Sequence, residues 1–396
     1  MSELSYDWVP DACAIAGIGT TAFTKSSGVS PTALAAEAAL AAIGDAGLEP
    51  GDIDGFVRSD YDETSPVALA DALGLEDVAY WGQTGAGGAA PCAMVGQAAA
   101  AVRSGLARHV LVYRALNGRS GRRLGRGVPP AAGVGGGSTY LELFAPYGLT
   151  TPGQFFAMVA RRYMTEYGLT ERALADIALT CRRRANANPA AQMYTRTLTA
   201  DDYFDARMIS APLRLFDFCL ETDGAAAIVV TSTPRARDLA QRPVLIRAVA
   251  QAAGGRVGPG QMYPVLMSES LTGLSSRRAA GRLYERAALG PEDVDVAQLY
   301  DCFTITLFLQ LADYGFCKPE ETTEFVGSGA LDLGGAIPVN TAGGQLSEAY
   351  IHGMNHVVEG VRQIRGTSTG QVPGAQVSLV TSAPPPGTSA LLLVAP

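Results

Sequence analysis

The chain has 396 residues, enough for two core-sized units, with 47% hydrophobic residues and a formal net charge of −8. The acidic balance argues against nucleic acid as the main partner. No apolar run reaches membrane-span length, the N-terminus lacks a signal peptide's basic and apolar regions, and six cysteines without a CxxC pair imply neither a disulfide framework nor a zinc ribbon. A cytoplasmic enzyme with free thiols is the expectation.

The first predicted element is the short apolar strand that opens at Cys13 and runs into glycine. A helix follows over Pro31 to Ala46, with Ser30 as its cap, Pro31 at its first position and Gly47 as its stop. A second strand is predicted over Asp54 to Val57. The glycine run Gly85-Ala-Gly-Gly-Ala-Ala-Pro-Cys then leads into an alanine-rich helix, Ala89 to Ser104, and a strand from His109 to Tyr113.

The stretch from Leu116 to Ser210 differs in composition. It opens with Asn117-Gly-Arg-Ser-Gly-Arg-Arg-Leu-Gly-Arg-Gly, and helices are predicted in it over Phe155 to Tyr167 and Glu171 to Arg183. A region this long is not structureless in a compact domain, and it reads as an inserted lid. Beyond it, two local patterns recur in the same order. Leu48-Glu-Pro-Gly-Asp-Ile-Asp matches Leu289-Gly-Pro-Glu-Asp-Val-Asp, and Asp223-Gly-Ala-Ala-Ala-Ile-Val-Val matches Gly387-Thr-Ser-Ala-Leu-Leu-Leu-Val. The pairing points to a duplicated βα unit with buried, helix-covered sheets.

Three motifs are the most specific: Thr222-Asp-Gly-Ala-Ala-Ala, Tyr300-Asp-Cys-Phe and Asn340-Thr-Ala-Gly-Gly. With the Gly-Gly frame that reaches Tyr350 and His352, they resemble the thiolase superfamily in its sterol-carrier-protein-type branch. The resemblance implies a thiolase fold of class α/β, with duplicated βαβαβα-type halves, a layered αβαβα core and an inserted loop domain that binds coenzyme A. The expected divisions are residues 1–115 plus 211–240 for the first half, 116–210 for the lid and 241–396 for the second half.

Tyrosine stands in both frames where the branch usually keeps histidine. Aligning the turn and strand after the alanine-rich helix and counting back puts the family's nucleophilic cysteine at Gly88, within a residue. Cys92 lies about one helical turn later, as a displaced nucleophile or a small core residue. The stretch that matches the second catalytic cysteine, Leu379-Val-Thr-Ser-Ala-Pro-Pro-Pro-Gly, holds no thiol. Gly87 and Gly88 leave room for a bulkier acyl group, or form a plain turn.

Two phenols can donate to an enolate oxygen or accept a proton, and base work at neutral pH needs a depressed tyrosine pKa, which a helix N-terminus would favour. The chemistry that fits is retro-aldol cleavage of a β-hydroxyacyl-CoA without a covalent acyl-enzyme, with Tyr350 as base and Tyr300 as acid, or the reverse. Asp301 either orients the site or caps the following helix. His352 is a candidate hydrogen-bond donor beside the thioester. His352 and His356 are spaced like half a metal site, but a glycine intervenes and the usual glutamate is absent. No metal site is expected in this chain.

The same residues, with Leu309-Gln-Leu-Ala-Asp-Tyr-Gly-Phe-Cys317, resemble the actinobacterial steroid side-chain retro-aldolases called lipid-transfer proteins. That resemblance implies cleavage of a 17-hydroxy steroid C20-carboxyl-CoA to a 17-ketosteroid and propionyl-CoA. It further implies an OB-fold/zinc-ribbon partner and a homodimer at the core of an α2β2 heterotetramer. Coenzyme A would be part of the substrate, no cofactor would be bound by this chain, and zinc would belong to the partner. Arg114, Arg119, Arg122 and Arg123, with Arg126 and Arg182 to Arg184, are candidates for the coenzyme A phosphates or for a solvated surface. Two alternatives stay open: an acyltransferase using Cys92, and a non-catalytic thiolase-like binder of acyl-CoA or lipid.

Overall fold

Nine strands form one mixed sheet in the computed structural model, which describes residues 8–85, 87–121, 123, 145–253, 275–383 and 387–396. They are β1 (Cys13–Thr20), β2 (Gly55–Ser59), β3 (Tyr80–Thr84), β4 (His109–Asn117), β7 (Asp223–Ser232), β8 (Val244–Ala253), β9 (Val296–Gln298), β10 (Val377–Thr381) and β11 (Gly387–Val394). The short strands β5 (Met208–Ser210) and β6 (Leu213–Arg214) pair separately. The order across the large sheet is β3-β2-β4-β7-β1-β8-β11-β10-β9.

This order contains the same pattern twice, hinged at the β1–β8 pair. β1 runs antiparallel to β7, β7 antiparallel to β4, and β4 parallel to β2. In the second half β8 runs antiparallel to β11, β11 antiparallel to β10, and β10 parallel to β9. A parallel bridge from Ala297 to Val339 takes the place that β3 holds beside β2. Both recurring sequence patterns fall on equivalent strands: one precedes β2 and β9, the other forms β7 and β11.

Alternation along the strands builds the layers. Val110, Val112, Ile228, Val230, Leu391 and Leu393 meet two helices, α3 (Ala90–Arg103) and Met354–Arg365, in the central core. Their neighbours Leu111, Tyr113 and Val229 turn to the opposite side, against α1 (Pro31–Ala46) and α2 (Pro66–Leu73). In the second half Ala390 and Leu392 turn outward toward the helix Ser275–Ala287. The result is the expected five-layer αβαβα arrangement. Strands covered on both faces read as continuous apolar runs, which is why they stood out in the sequence.

Helix boundaries follow local chemistry. The Ser30 side chain accepts from the Ala33 N–H, and Gly47 ends α1 at φ 73° in the left-handed region. α3 lies between the two halves of the sheet, so its residues are small: a Cβ on Gly96 would fall 2.9 Å from Val249 Cγ1.

The helices Pro152–Tyr167 and Glu171–Asn186 pack against the second half, with Phe156 stacked on Phe303 at 4.5 Å between centroids. From them and the loop that follows, Arg182 Nε donates to Ser347 Oγ (3.0 Å), Asn188 Nδ2 to the Ala342 carbonyl (3.1 Å) and Gln192 N to the Glu348 carbonyl (2.8 Å). This segment therefore buttresses the 341–348 turn. Much of the Arg/Gly-rich opening of the predicted lid, including Arg122 and Arg126, lies outside the described residues. Among the described residues no helix is long and apolar enough to cross a membrane.

Asn340 carries the junction between β9 and that turn. At φ 50° it is left-handed, and its side chain both accepts from Leu299 N (2.8 Å) and donates to the Leu299 carbonyl (2.9 Å), imitating a neighbouring strand. Asn340→Ala leaves two buried backbone groups unpaired. It should lower the stability measured by urea denaturation by on the order of 2–4 kcal/mol.

Candidate active site

Tyr300 lies two residues beyond the end of β9, held by its backbone. Its N–H donates to Thr381 Oγ1 (2.9 Å), and its carbonyl accepts from Gln310 Nε2 (2.7 Å) and Thr306 Oγ1 (2.8 Å). The ring is enclosed by glycines. A Cβ on Gly353, itself at φ 91°, would stand 3.1 Å from the ring carbons. A Cβ on Gly88 would stand 2.9 Å from Tyr300 Cζ and closer still to its hydroxyl. Tyr350 is anchored by its N–H to Thr222 Oγ1 (3.0 Å). The two hydroxyls meet at 3.3 Å.

The electrostatics correct one expectation. Neither phenol is depressed toward neutrality: burial pushes both well above the ordinary tyrosine value. The remaining influences differ. Tyr300 is raised further by Tyr350 and Cys302, and Tyr350 by Cys219 and Cys302; the hydrogen bond with Tyr300 and the Arg114 cation ease Tyr350 downward by less. Both are neutral at physiological pH.

Asp301 does not cap the helix that follows it. That helix, Thr304–Asp313, starts at Phe303 without a side-chain cap. The buried Asp301 carboxylate instead accepts from Gln345 N (2.8 Å), Leu346 N (3.2 Å) and His356 Nε2 (2.9 Å). It joins the Tyr300 frame to the Tyr350 frame. A Cβ on Gly344 would strike this carboxylate. Glu348, two residues before Tyr350, is buried, accepts from Asn355 Nδ2 (2.9 Å), and is pushed by burial up to about 8, so it keeps its proton at neutral pH.

His352 and His356 do not share a helical face. His352 sits before the helix at φ 55° and meets Arg114 Nη2 through Nδ1 (3.2 Å), whereas His356 bonds Asp301. Among the described residues no group of histidines, cysteines and carboxylates could hold a metal ion.

Cys92 sits in the core. It is fully buried, its thiol donates to the Val380 carbonyl (3.4 Å), and burial pushes it up to about 12. A thiolate is not formed there at neutral pH. Gly88, by contrast, is at the centre: its carbonyl accepts from Ala383 N (2.9 Å), so the glycine turn and the thiol-free C-terminal segment meet beside Tyr300.

Residues 261–394 match the thiolase C-terminal domain-like family. A steroid side-chain-cleaving aldolase of Thermomonospora curvata is 45% identical over 387 residues, covering 97% of this chain and 98% of its own. The 17-hydroxy-3-oxo-4-pregnene-20-carboxyl-CoA lyase of Mycobacterium tuberculosis is 45% identical over 384 residues, covering 96% and 98%. The solved structure of an Ltp2–ChsH2(DUF35) aldolase superposes with a TM-score of 0.92 at 44% identity, covering 98% of both chains. The chain belongs to this family of thiolase-fold aldolases. It is a carbon–carbon lyase.

Within this aldolase the predicted arginines divide. Arg114 is 2% exposed and paired with Asp62 (2.6 Å), which removes it from the phosphate candidates. Arg119 and Arg123 both reach Glu221 on a partly exposed surface. Arg182 is buried against Ser347, and Arg183 and Arg184 reach Asp332. Sequence reasoning missed the Asp62–Arg114 pair, Glu348 and Gly353. One signal for the first was present, since Arg114 interrupts an otherwise apolar strand run.

The enclosure of Tyr300 makes Gly88 the most sensitive small residue. Gly88→Ala should displace the Tyr300 hydroxyl, reduce kcat by at least about tenfold and lower the thermal midpoint, because the clashing hydroxyl and Cζ lie on the ring axis and only a shift of the whole buried side chain relieves the clash. Steady-state kinetics and calorimetry on the same preparation check this.

Proposed function

We propose that this aldolase cleaves the Cα–Cβ bond of a bulky β-hydroxyacyl-CoA by a retro-aldol reaction. The substrate is a 17-hydroxy steroid C20-carboxyl-CoA, and the products are a 17-ketosteroid and propionyl-CoA. The observation that carries the reading is the pair of neutral phenols in contact at 3.3 Å, directly beside a glycine where a nucleophile's side chain would stand.

The steps balance without a metal or a covalent intermediate. Tyr350 accepts the β-hydroxyl proton as the Cα–Cβ bond breaks. The bonding electron pair moves into the thioester enolate, and the β-carbon becomes the ketone. Tyr350 passes a proton to Tyr300 across their contact, and Tyr300 delivers one to Cα. One proton leaves the hydroxyl and one reaches carbon. Because both phenols are held well above the ordinary value by burial, transfer in concert avoids a free phenolate.

Gly87 and Gly88 support a bulky acyl group at this position, and the steroid follows from what the two similar proteins are named for cleaving. Arg119, Arg122 and Arg123 are proposed for the coenzyme A phosphates, in an inserted segment over residues 116–210. A protein partner of OB-fold and zinc-ribbon type, with the zinc on the partner's side, is proposed from the similar structure's being a two-component aldolase. A homodimeric core of an α2β2 assembly in the cytoplasm completes the proposal. The fully buried Cys92 thiol gives no support to acyl transfer.

The test incubates the full chain, with its partner protein, with the 17-hydroxy steroid acyl-CoA and follows propionyl-CoA and ketone release. Tyr300→Phe and Tyr350→Phe should each lower kcat by about 10²–10⁴-fold, whereas Cys92→Ala should keep turnover. Full cleavage by both Phe variants would exclude a phenolic mechanism. Lost turnover in a folded Cys92→Ala protein would instead favour a thiol nucleophile.

A further inference from the structure

A buried ion pair leads from the first half of the fold to the tyrosine pair. Asp62, after β2, accepts from Ser59 N (2.9 Å) and Ala115 N (2.9 Å), and it holds Arg114 Nη1 at 2.6 Å. Both side chains are almost wholly removed from solvent. The other end of the guanidinium, Nη2, faces His352 Nδ1 at 3.2 Å.

This contact decides the state of the imidazole. A guanidinium only donates hydrogen bonds and does not lose its proton. Nδ1 must therefore be the acceptor, which leaves the ring's single proton on Nε2. Burial, and then the Arg114 cation, also hold His352 well below the usual histidine value, so the ring stays neutral.

The ring is also held by its packing. Tyr61 packs edge-on at 5.7 Å between centroids, Tyr350 edge-on at 5.3 Å, and Gly87 lies off the Cε1 edge, where an added Cβ would stand 3.6 Å away. Among the described residues none accepts a hydrogen bond from Nε2. The free N–H thus belongs to the edge of the ring beside the glycine turn, next to Tyr350.

We propose that Asp62 and Arg114 are positioning residues that hold His352 as the neutral Nε2–H tautomer, and that His352 is a catalytic donor to the thioester oxygen of the acyl-CoA. The inference rests on the retro-aldol reading. As Cα–Cβ breaks, negative charge collects on that oxygen, and a fixed neutral donor stabilises it without reorganising. A neutral ring also avoids drawing the enolate's proton onto oxygen, which leaves Cα to be protonated by Tyr300.

The experiment reads the tautomer and the chemistry separately. The chain has only three histidines, so the full chain labelled with ¹⁵N in its imidazoles gives assignable ring signals. The wild type should show His352 with Nε2 protonated and Nδ1 bare. The double variant Asp62→Asn/Arg114→Met removes both charges together, which spares the core an unpaired ion. It should show mixed His352 tautomers and a kcat reduced at least about tenfold, with KM changed less. His352→Phe should lose about 10²–10³-fold in kcat, and His352→Gln, which retains an N–H donor, should lose less.

A His352 proton on Nδ1 in the wild type overturns the proposal, whatever the activity. So does wild-type kcat in His352→Phe, or an unchanged tautomer and rate in the double variant. Absence of cleavage by the wild type would instead sink the retro-aldol reading, while the ring signals would still decide whether Arg114 sets the tautomer.

Discussion

The site depends first on one buried carboxylate. Asp301 takes two backbone N–H groups from the turn at Gly344–Leu346 and the ring of His356 from the last long helix. Each is a hydrogen bond to a buried acid side chain in a medium of low dielectric, where an unpaired polar group would be costly. The carboxylate therefore ties its own segment to two others, 44 and 55 residues further along the chain. The turn leads directly to Tyr350, and the residue before Asp301 is Tyr300. Their contact is a consequence of this tie rather than a separate feature.

Around that tie the fold uses its duplication unequally. The first half supplies the Gly87–Gly88 turn, the start of α3, and the Asp62–Arg114 pair. The second supplies both tyrosines, Asp301 and His352. The two meet because α3 and the helix Met354–Arg365 share the central layer between the halves of the sheet. Burial of the site has a chemical effect. It keeps both phenols, Glu348 and His352 uncharged at neutral pH.

Close packing explains the role of glycine here. Gly88 and Gly353 stand on either side of the Tyr300 ring, and neither could carry a Cβ without moving it. Cys92 stayed a core residue because the next helical turn is sealed between the two halves of the sheet, with its thiol against the Val380 carbonyl.

By itself the sequence determined the buried strands, the helix ends, the recurring patterns and the two tyrosines, because these are local signals; the layering was implied by the resemblance to a thiolase. Apolar runs mark doubly covered strands, Ser30-Pro31 and Gly47 mark helix ends, and the glycine and tyrosine frames are contiguous. What only the tertiary structure decided is which way each side chain faces and what meets it. Asp301 turned from its own helix to a distant one. Arg114 turned inward to Asp62 and His352 rather than outward to phosphate. The two phenols were raised by burial rather than lowered by a helix dipole. Each of these depends on partners 44 or more residues away and on the exclusion of water, and neither is written in the spacing of neighbouring residues.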